Sequence, residues 1–254
     1  MQMSRRNDKL FLLHNPKAGG TALRRIVESH FAAEKRCPLI ENNKVEHDGL
    51  SGDYVRFRGY DLYAGHYGRD IFSAVDDGHV CMTNFRHPVA RLISLYNYFK
   101  YTVELSEAEL QTDSFYAVRF AKSVSFETFV STDDPRVDVY VRNCHFRQLS
   151  NSCWSLEITR QFEDVARFVD AMPCYYVCEY PDLSVRWMRR GLNWNLDRLP
   201  RENVTGEHGG QAISFFTLDD HTYNVLCRKN DLDFAIYRYA VDRLLNSHYL
   251  VDSR

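Results

Sequence analysis

The segment His14-Asn15-Pro16-Lys17-Ala18-Gly19-Gly20-Thr21-Ala22 concentrates the groups needed to hold an anion. Two glycines allow close backbone approach, Lys17 carries a full positive charge, and Thr21 offers a hydroxyl. A strand that ends here and a helix that begins here aim several free N–H groups at one spot, together with the positive end of a helix dipole. The order of residues is informative. In a Walker A loop the lysine follows the last glycine, whereas Lys17 precedes Gly19 and Gly20, and the first glycine of that loop is absent. Nucleotide-dependent phosphoryl transfer also calls for Mg²⁺ held by a carboxylate at a neighbouring strand end. The nearest candidate end, Asn84-Phe85-Arg86, has none. A sulfuryl group needs less charge neutralisation than a phosphoryl dianion, so lysine and amides suffice for its transfer with no metal.

The elements that must position this turn can be read from hydrophobic patterning. Lys9 to His14 is a buried-strand run, and Leu23, Ile26, Val27 and Phe31 follow helical spacing after the turn. Further strands are expected at Tyr60 to Ala64, at Val80 to Phe85 and at Tyr175 to Cys178. Pro88 suits the first position of a helix whose apolar face is Leu92, Leu95, Tyr96 and Phe99. Helices are also expected at Glu157 to Ala171, at Asp182 to Arg190, and as a pair over Thr217 to Tyr249. Alternation of strands and helices predicts an α/β fold, a central parallel sheet with helices on both faces and ligands at the carboxyl ends of its strands. Glu104 to Asn151 is weakly patterned and reads as an insertion over that edge. The loop Leu199 to Gln211, with Pro200, Gly206, Gly209 and Gly210, is placed to close over a bound base through Arg201 or Asn203.

The 254 residues are 44% apolar and 26% charged, enough for one domain spanning 1–254 with a full core, which excludes disorder and fibrous repeats. Thirty-two basic against 34 acidic residues argue against a general polyanion binder, so no nucleic-acid partner is expected. No apolar run is long enough to span a bilayer, and no secretory signal is visible. Seven irregularly spaced cysteines read as free thiols in a reducing compartment, which points to the cytoplasm.

Three segments carry a resemblance. HNPKAGGTAL resembles the HxPKTxGT loop of the carbohydrate sulfotransferases that use 3′-phosphoadenosine 5′-phosphosulfate (PAPS). FRHPVARLISLYNYF is similar to their second motif, RxPxxRxxSxY, with Arg86, Pro88, Arg91, Ser94 and Tyr96 in register. The YxGH pattern at Tyr63 to His66 resembles the heparan-sulfate and dermatan-sulfate 2-O-sulfotransferases. Fainter echoes lie at Asn143 to Leu149, around Val177-Cys178-Glu179 and at Asn230 to Ala240. The resemblance implies the P-loop-NTPase-like sulfotransferase fold, PAPS as donor, PAP as product and no metal. It implies that Lys17 contacts the transferring group, that Pro16, Ala18, Gly19, Gly20, Thr21 and Ala22 surround the phosphosulfate, and that Arg86 and Ser94 hold the 3′-phosphate. Ala18 stands where the family often has threonine or serine. Ala64 replaces the first histidine of the HGH triplet, so His66 is the histidine that carries over as general base. A saccharide is the implied acceptor, with His145 and Arg147 as candidate contacts to it, and homo-oligomerisation stays open. Two alternatives are an ATP-dependent small-molecule kinase and a catalytically silent nucleotide-binding relative.

Overall fold

The computed structural model describes residues 8–38, 58–196 and 212–249, of which residues 248 and 249 are described by backbone alone. The loop Leu199 to Gln211, with Arg201 and Asn203, lies outside the described residues.

Four strands make one all-parallel sheet. They are β1 (Leu10–Leu13), β2 (Leu62–Gly65), β3 (Val80–Phe85) and β4 (Tyr176–Val177), in the order β2-β1-β3-β4. Successive strand residues point to opposite faces, and all four β1 side chains are fully buried, so both faces of this central strand are covered. The pairings Leu13↔Gly65, Leu13↔Thr83 and Phe85↔Val177 bring the strand ends to a common edge. His14, His66, Arg86 and Cys178 therefore emerge side by side.

Helices α1 (Gly20–Ser29), α2 (Arg69–Val75) and α3 (Pro88–Asn97) follow β1, β2 and β3 in turn. Pro88 occupies the first turn of α3, as its missing N–H favours. The section after α3 continues through a π-helical turn (Tyr98–Thr102) into five short helices. These are α4 (Glu107–Leu110), α5 (Tyr116–Ser123), α6 (Phe126–Ser131), α7 (Pro135–Val141) and α8 (Cys144–Ser150). What reads as a weakly patterned insertion is thus almost wholly helical. Its starts are set by local caps: Ser106 with Glu109 as a capping box, Ser125 on Thr128 N, and Asp134 on Arg136 N ahead of Pro135. Its apolar faces close a second hydrophobic core, around Leu92, Tyr96, Phe129 and Val137, apart from the sheet core.

Then come α9 (Phe162–Asp170), α10 (Pro181–Leu192), α11 (Asp220–Lys229) and α12 (Asp231–Tyr249). The helix expected from Glu157 starts five residues later. Before it, Thr159 N and Arg160 N donate to Ser150 Oγ, which holds that stretch as a loop on the end of α8. Helices α8 and α12 stabilise each other's starts. Buried Asp233 accepts from Phe146 N (2.7 Å) and His145 N (3.3 Å), while Asn143 Oδ1 accepts from Asp233 N (3.0 Å) and Leu232 N (3.1 Å). No helix among the described residues is long and apolar enough to cross a membrane.

Candidate active site

The turn after β1 is shaped by two left-handed residues, Lys17 (φ 64°) and Gly19 (φ 72°). A Cβ on Gly19 would lie 2.6 Å from Cys178 Sγ, and one on Gly20 would lie 1.7 Å from His14 Nε2, so neither position has room for a side chain. A left-handed lysine costs on the order of 1 kcal/mol and persists only where the surroundings dictate it. Asn84, fully buried near the end of β3, supplies that constraint. Its Oδ1 accepts from Asn15 N (2.9 Å), and its Nδ2 donates to Asn15 O (3.0 Å) and Ala18 O (2.8 Å). The strand end that has no carboxylate thus uses an amide to hold the turn. Asn84→Ala leaves three buried backbone groups without this partner, each worth about 1–3 kcal/mol. Urea unfolding should show a loss of roughly 3 kcal/mol or more. A variant as stable as the parent would show that the turn holds its shape without Asn84.

The turn delivers the start of α1, whose N-cap Gly19 provides no side-chain cap and whose first turn has no acidic residue. Its leading N–H groups and dipole are therefore available to an anion. Thr21 is exposed in this first turn, Ala18 and Ala22 are buried beneath it, and Pro16 is half-buried. Lys17 Nζ sits 3.8 Å from the centroid of the Tyr98 ring. Burial, and then the nearby Arg86 charge, push this ammonium down to about 8. Arg86 Nη1 donates to Lys17 O (2.9 Å), which brings a second cation onto the turn. Tyr98 follows Ser94 by four residues along a continuous helical stretch, so the two share a face. Because Tyr98 lies under Lys17, half-buried Ser94 is on the side of α3 turned toward the turn.

His66 follows β2 directly and is half-buried. Its ring centroid is 4.9 Å from that of His14 and 6.4 Å from that of Trp154. Burial first, then the charges of Arg24 and Lys17, push it down to about 3, so its imidazole is neutral at neutral pH. His14 is lowered in the same direction, again chiefly by burial. Among the described residues, the Asn15 side-chain amide and Gln148 Oε1 are buried polar groups with no protein hydrogen bond, although Gln148 Nε2 donates to His14 O (3.1 Å) and Tyr67 O (2.7 Å). Asn15 Nδ2 calls for an acceptor oxygen of a ligand or water, and Asn15 Oδ1 and Gln148 Oε1 call for a donor.

The two candidate acceptor contacts belong elsewhere. His145 is buried, and its Nε2 lies 3.1 Å from Thr83 Oγ1. That hydroxyl gives its proton to Leu13 O (2.7 Å), so Nε2 carries the histidine proton. Arg147 is fully buried and donates to the backbone carbonyls of Arg142, Cys153, Ser155 and Val139. Neither side chain presents a donor to a ligand, so both are structural here. Tyr96 and Arg91 are core residues as well: Tyr96 OH donates to Val124 O (2.7 Å) and Arg91 Nη2 donates to Tyr140 O (2.9 Å). All seven cysteines are free thiols.

Asn84, Tyr98, Arg24 and Gln148 receive no role from the sequence patterns, Asn84 standing there only as a strand end without a carboxylate. A four-residue step from Ser94 is the one signal that could have pointed to Tyr98. The other three act across the chain and leave no local trace. No protein-family model matches this chain, and no curated protein matches it.

Proposed function

We propose that this protein is a PAPS-dependent sulfotransferase of the P-loop-like fold that moves a sulfuryl group to a saccharide hydroxyl and works in the cytoplasm. One observation carries the reading: two cations, Lys17 and Arg86, meet at the turn that leads into the uncapped start of α1, while a neutral His66 stands at the end of the adjacent strand. The turn amides, Thr21 and Lys17 bind the phosphosulfate and stabilise the charge that grows on the leaving phosphate. Arg86 and Ser94 hold the ribose 3′-phosphate. His66 takes the acceptor proton as the hydroxyl oxygen bonds to sulfur and the S–O bond to the phosphate breaks. The products are a sulfate ester, PAP and a proton carried by His66. Four features fit this donor: an anion site without a capping side chain, a second cation beside it, an Asn15 amide in need of a partner, and an asparagine where a Mg²⁺-binding carboxylate would be required.

Thermal shift separates this from kinase chemistry. A ligand at a hundred times its Kd stabilises the native state by about 2.7 kcal/mol, which is several degrees for a chain of this size. PAP should produce that shift and ATP–Mg²⁺ should not. The opposite pattern would remove the sulfotransferase reading. A PAP shift without labelled product, across a panel of saccharides incubated with ³⁵S-PAPS, would leave a silent binding protein.

A further inference from the structure

We propose that Trp154 positions the acceptor, its indole receiving the apolar face of a pyranose ring beside His66. This rests on the sulfotransferase reading and assigns it a specificity residue. The indole centroid lies 6.4 Å from the His66 imidazole, with the planes tilted by 58°. Tyr140 packs edge-on against the indole (5.7 Å, 76°), and Phe99 packs edge-on against Tyr140 in turn (5.4 Å, 84°), so an aromatic wall backs the ring. Trp154 is only half-buried, unlike its neighbour Cys153, which is buried.

Its backbone is fixed from below. Fully buried Arg147 donates Nη1 to the carbonyls of Cys153 (3.1 Å) and Ser155, the residues on either side of Trp154. Trp154 N donates to Ser152 Oγ (3.2 Å). A buried guanidinium bonded to the carbonyls that flank one aromatic residue is a positioning device, since a loop held this way keeps its side chain in register with the reacting group. A tryptophan next to the general base offers a large, rigid, apolar face with little rotamer freedom to lose. Sugar C–H groups fit such a face, and a ring lying on it keeps its rim hydroxyls on the His66 side.

Kinetics with the best acceptor from the ³⁵S-PAPS panel test this. Trp154→Ala should raise the acceptor KM about tenfold or more, as loss of an aromatic anchor does. The PAP thermal shift and the donor KM should stay unchanged. Trp154→Phe should recover most of the affinity. In the parent protein, titrating that saccharide should quench tryptophan fluorescence, and Trp154→Phe should abolish the quench although Trp187 and Trp194 remain. An acceptor KM within twofold of the parent in Trp154→Ala overturns the inference and leaves the parent reading intact. So does a quench that persists in Trp154→Phe, which decides the matter if the alanine variant does not fold. Absence of both a PAP shift and labelled product overturns the sulfotransferase reading, and this inference with it.

Discussion

Replacing Lys17 with methionine should slow sulfuryl transfer by roughly a hundredfold or more while making the ligand-free protein more stable. The lysine is mostly buried, held over Tyr98 and close to Arg86, and its pKa of about 8 lies below the ordinary 10.5 because burial and a like charge disfavour the ammonium. The folded state therefore gives up this proton near pH 8, whereas the unfolded chain keeps it to about 10.5. Between those values the unfolded state binds more protons, so stability rises with pH through that window. Below pH 8 the ammonium is a constant burden, on the order of 3 kcal/mol from the size of the shift. Methionine removes the burden and gives up the cation–π contact, worth about 1 kcal/mol. A net gain of roughly 2 kcal/mol corresponds to a rise in Tm of about 4–8 °C. Transfer should fall by roughly 10²–10³ or more, as when a donor to developing charge is removed. In the parent, kcat/KM for PAPS should decline above about pH 8, and Lys17→Arg should move that limb upward. A methionine variant that is less stable than the parent, or whose transfer falls by less than about tenfold, would contradict this account.

The second large effect is at His66. His66→Gln should lower kcat by about 10²–10⁴-fold, the range for a missing general base, with PAP affinity nearly unchanged. Its pKa of about 3 in the free protein has burial as its first cause and Arg24 and Lys17 as the next. A phosphosulfate seated on Lys17 offsets that positive charge and draws the imidazole back up, toward the range where it accepts a proton. The acid limb of kcat/KM, which reports the free enzyme, should therefore fall well below pH 6.5. The acid limb of kcat, which reports the ternary complex, should lie higher. An acid limb at the same pH in both profiles would argue against this coupling.

The same shift has a stability consequence. An unfolded histidine takes up a proton near pH 6.5 while the folded one resists until about 3, so native stability is full above 6.5 and declines as pH falls. For one such group the slope is at most about 1.4 kcal/mol per pH unit. Acid unfolding of His66→Gln, followed by circular dichroism, should thus have its midpoint at lower pH than the parent.

Much of the scaffold is legible in short stretches of chain. Val80–Phe85 is a strand as expected, β1 and β2 fall within about two residues of their expected limits, and Pro88 opens its helix. These are strong local signals: continuous apolar runs closed by glycine, or by a proline that can only begin a helix. The section from Glu104 to Asn151 escaped because its helices run only one or two turns, too short for an apolar period to register. The delayed start of α9 escaped because Ser150, from another element, holds the preceding residues out of the helix. His145 and Arg147 are polar types often found on surfaces, and only packing reveals that one bonds Thr83 and the other four carbonyls.

The turn between β1 and α1 lies within nine consecutive residues, His14 to Ala22. Glycine spacing, a lysine and a strand-to-helix transition are local features that mark where free N–H groups gather, while the left-handed Lys17 is held in shape from β3 by Asn84. The partners that complete the site come from distant parts of the chain. Asn84 reaches the turn from β3, Tyr98 supports Lys17 from beyond α3, and Trp154 meets His66 from the loop after α8. Such meetings follow from parallel strands sharing one edge and from helices folding back over it. Local patterning carries no record of them, because a hydrogen bond or ring contact between residues tens of positions apart exists only once the sheet has formed.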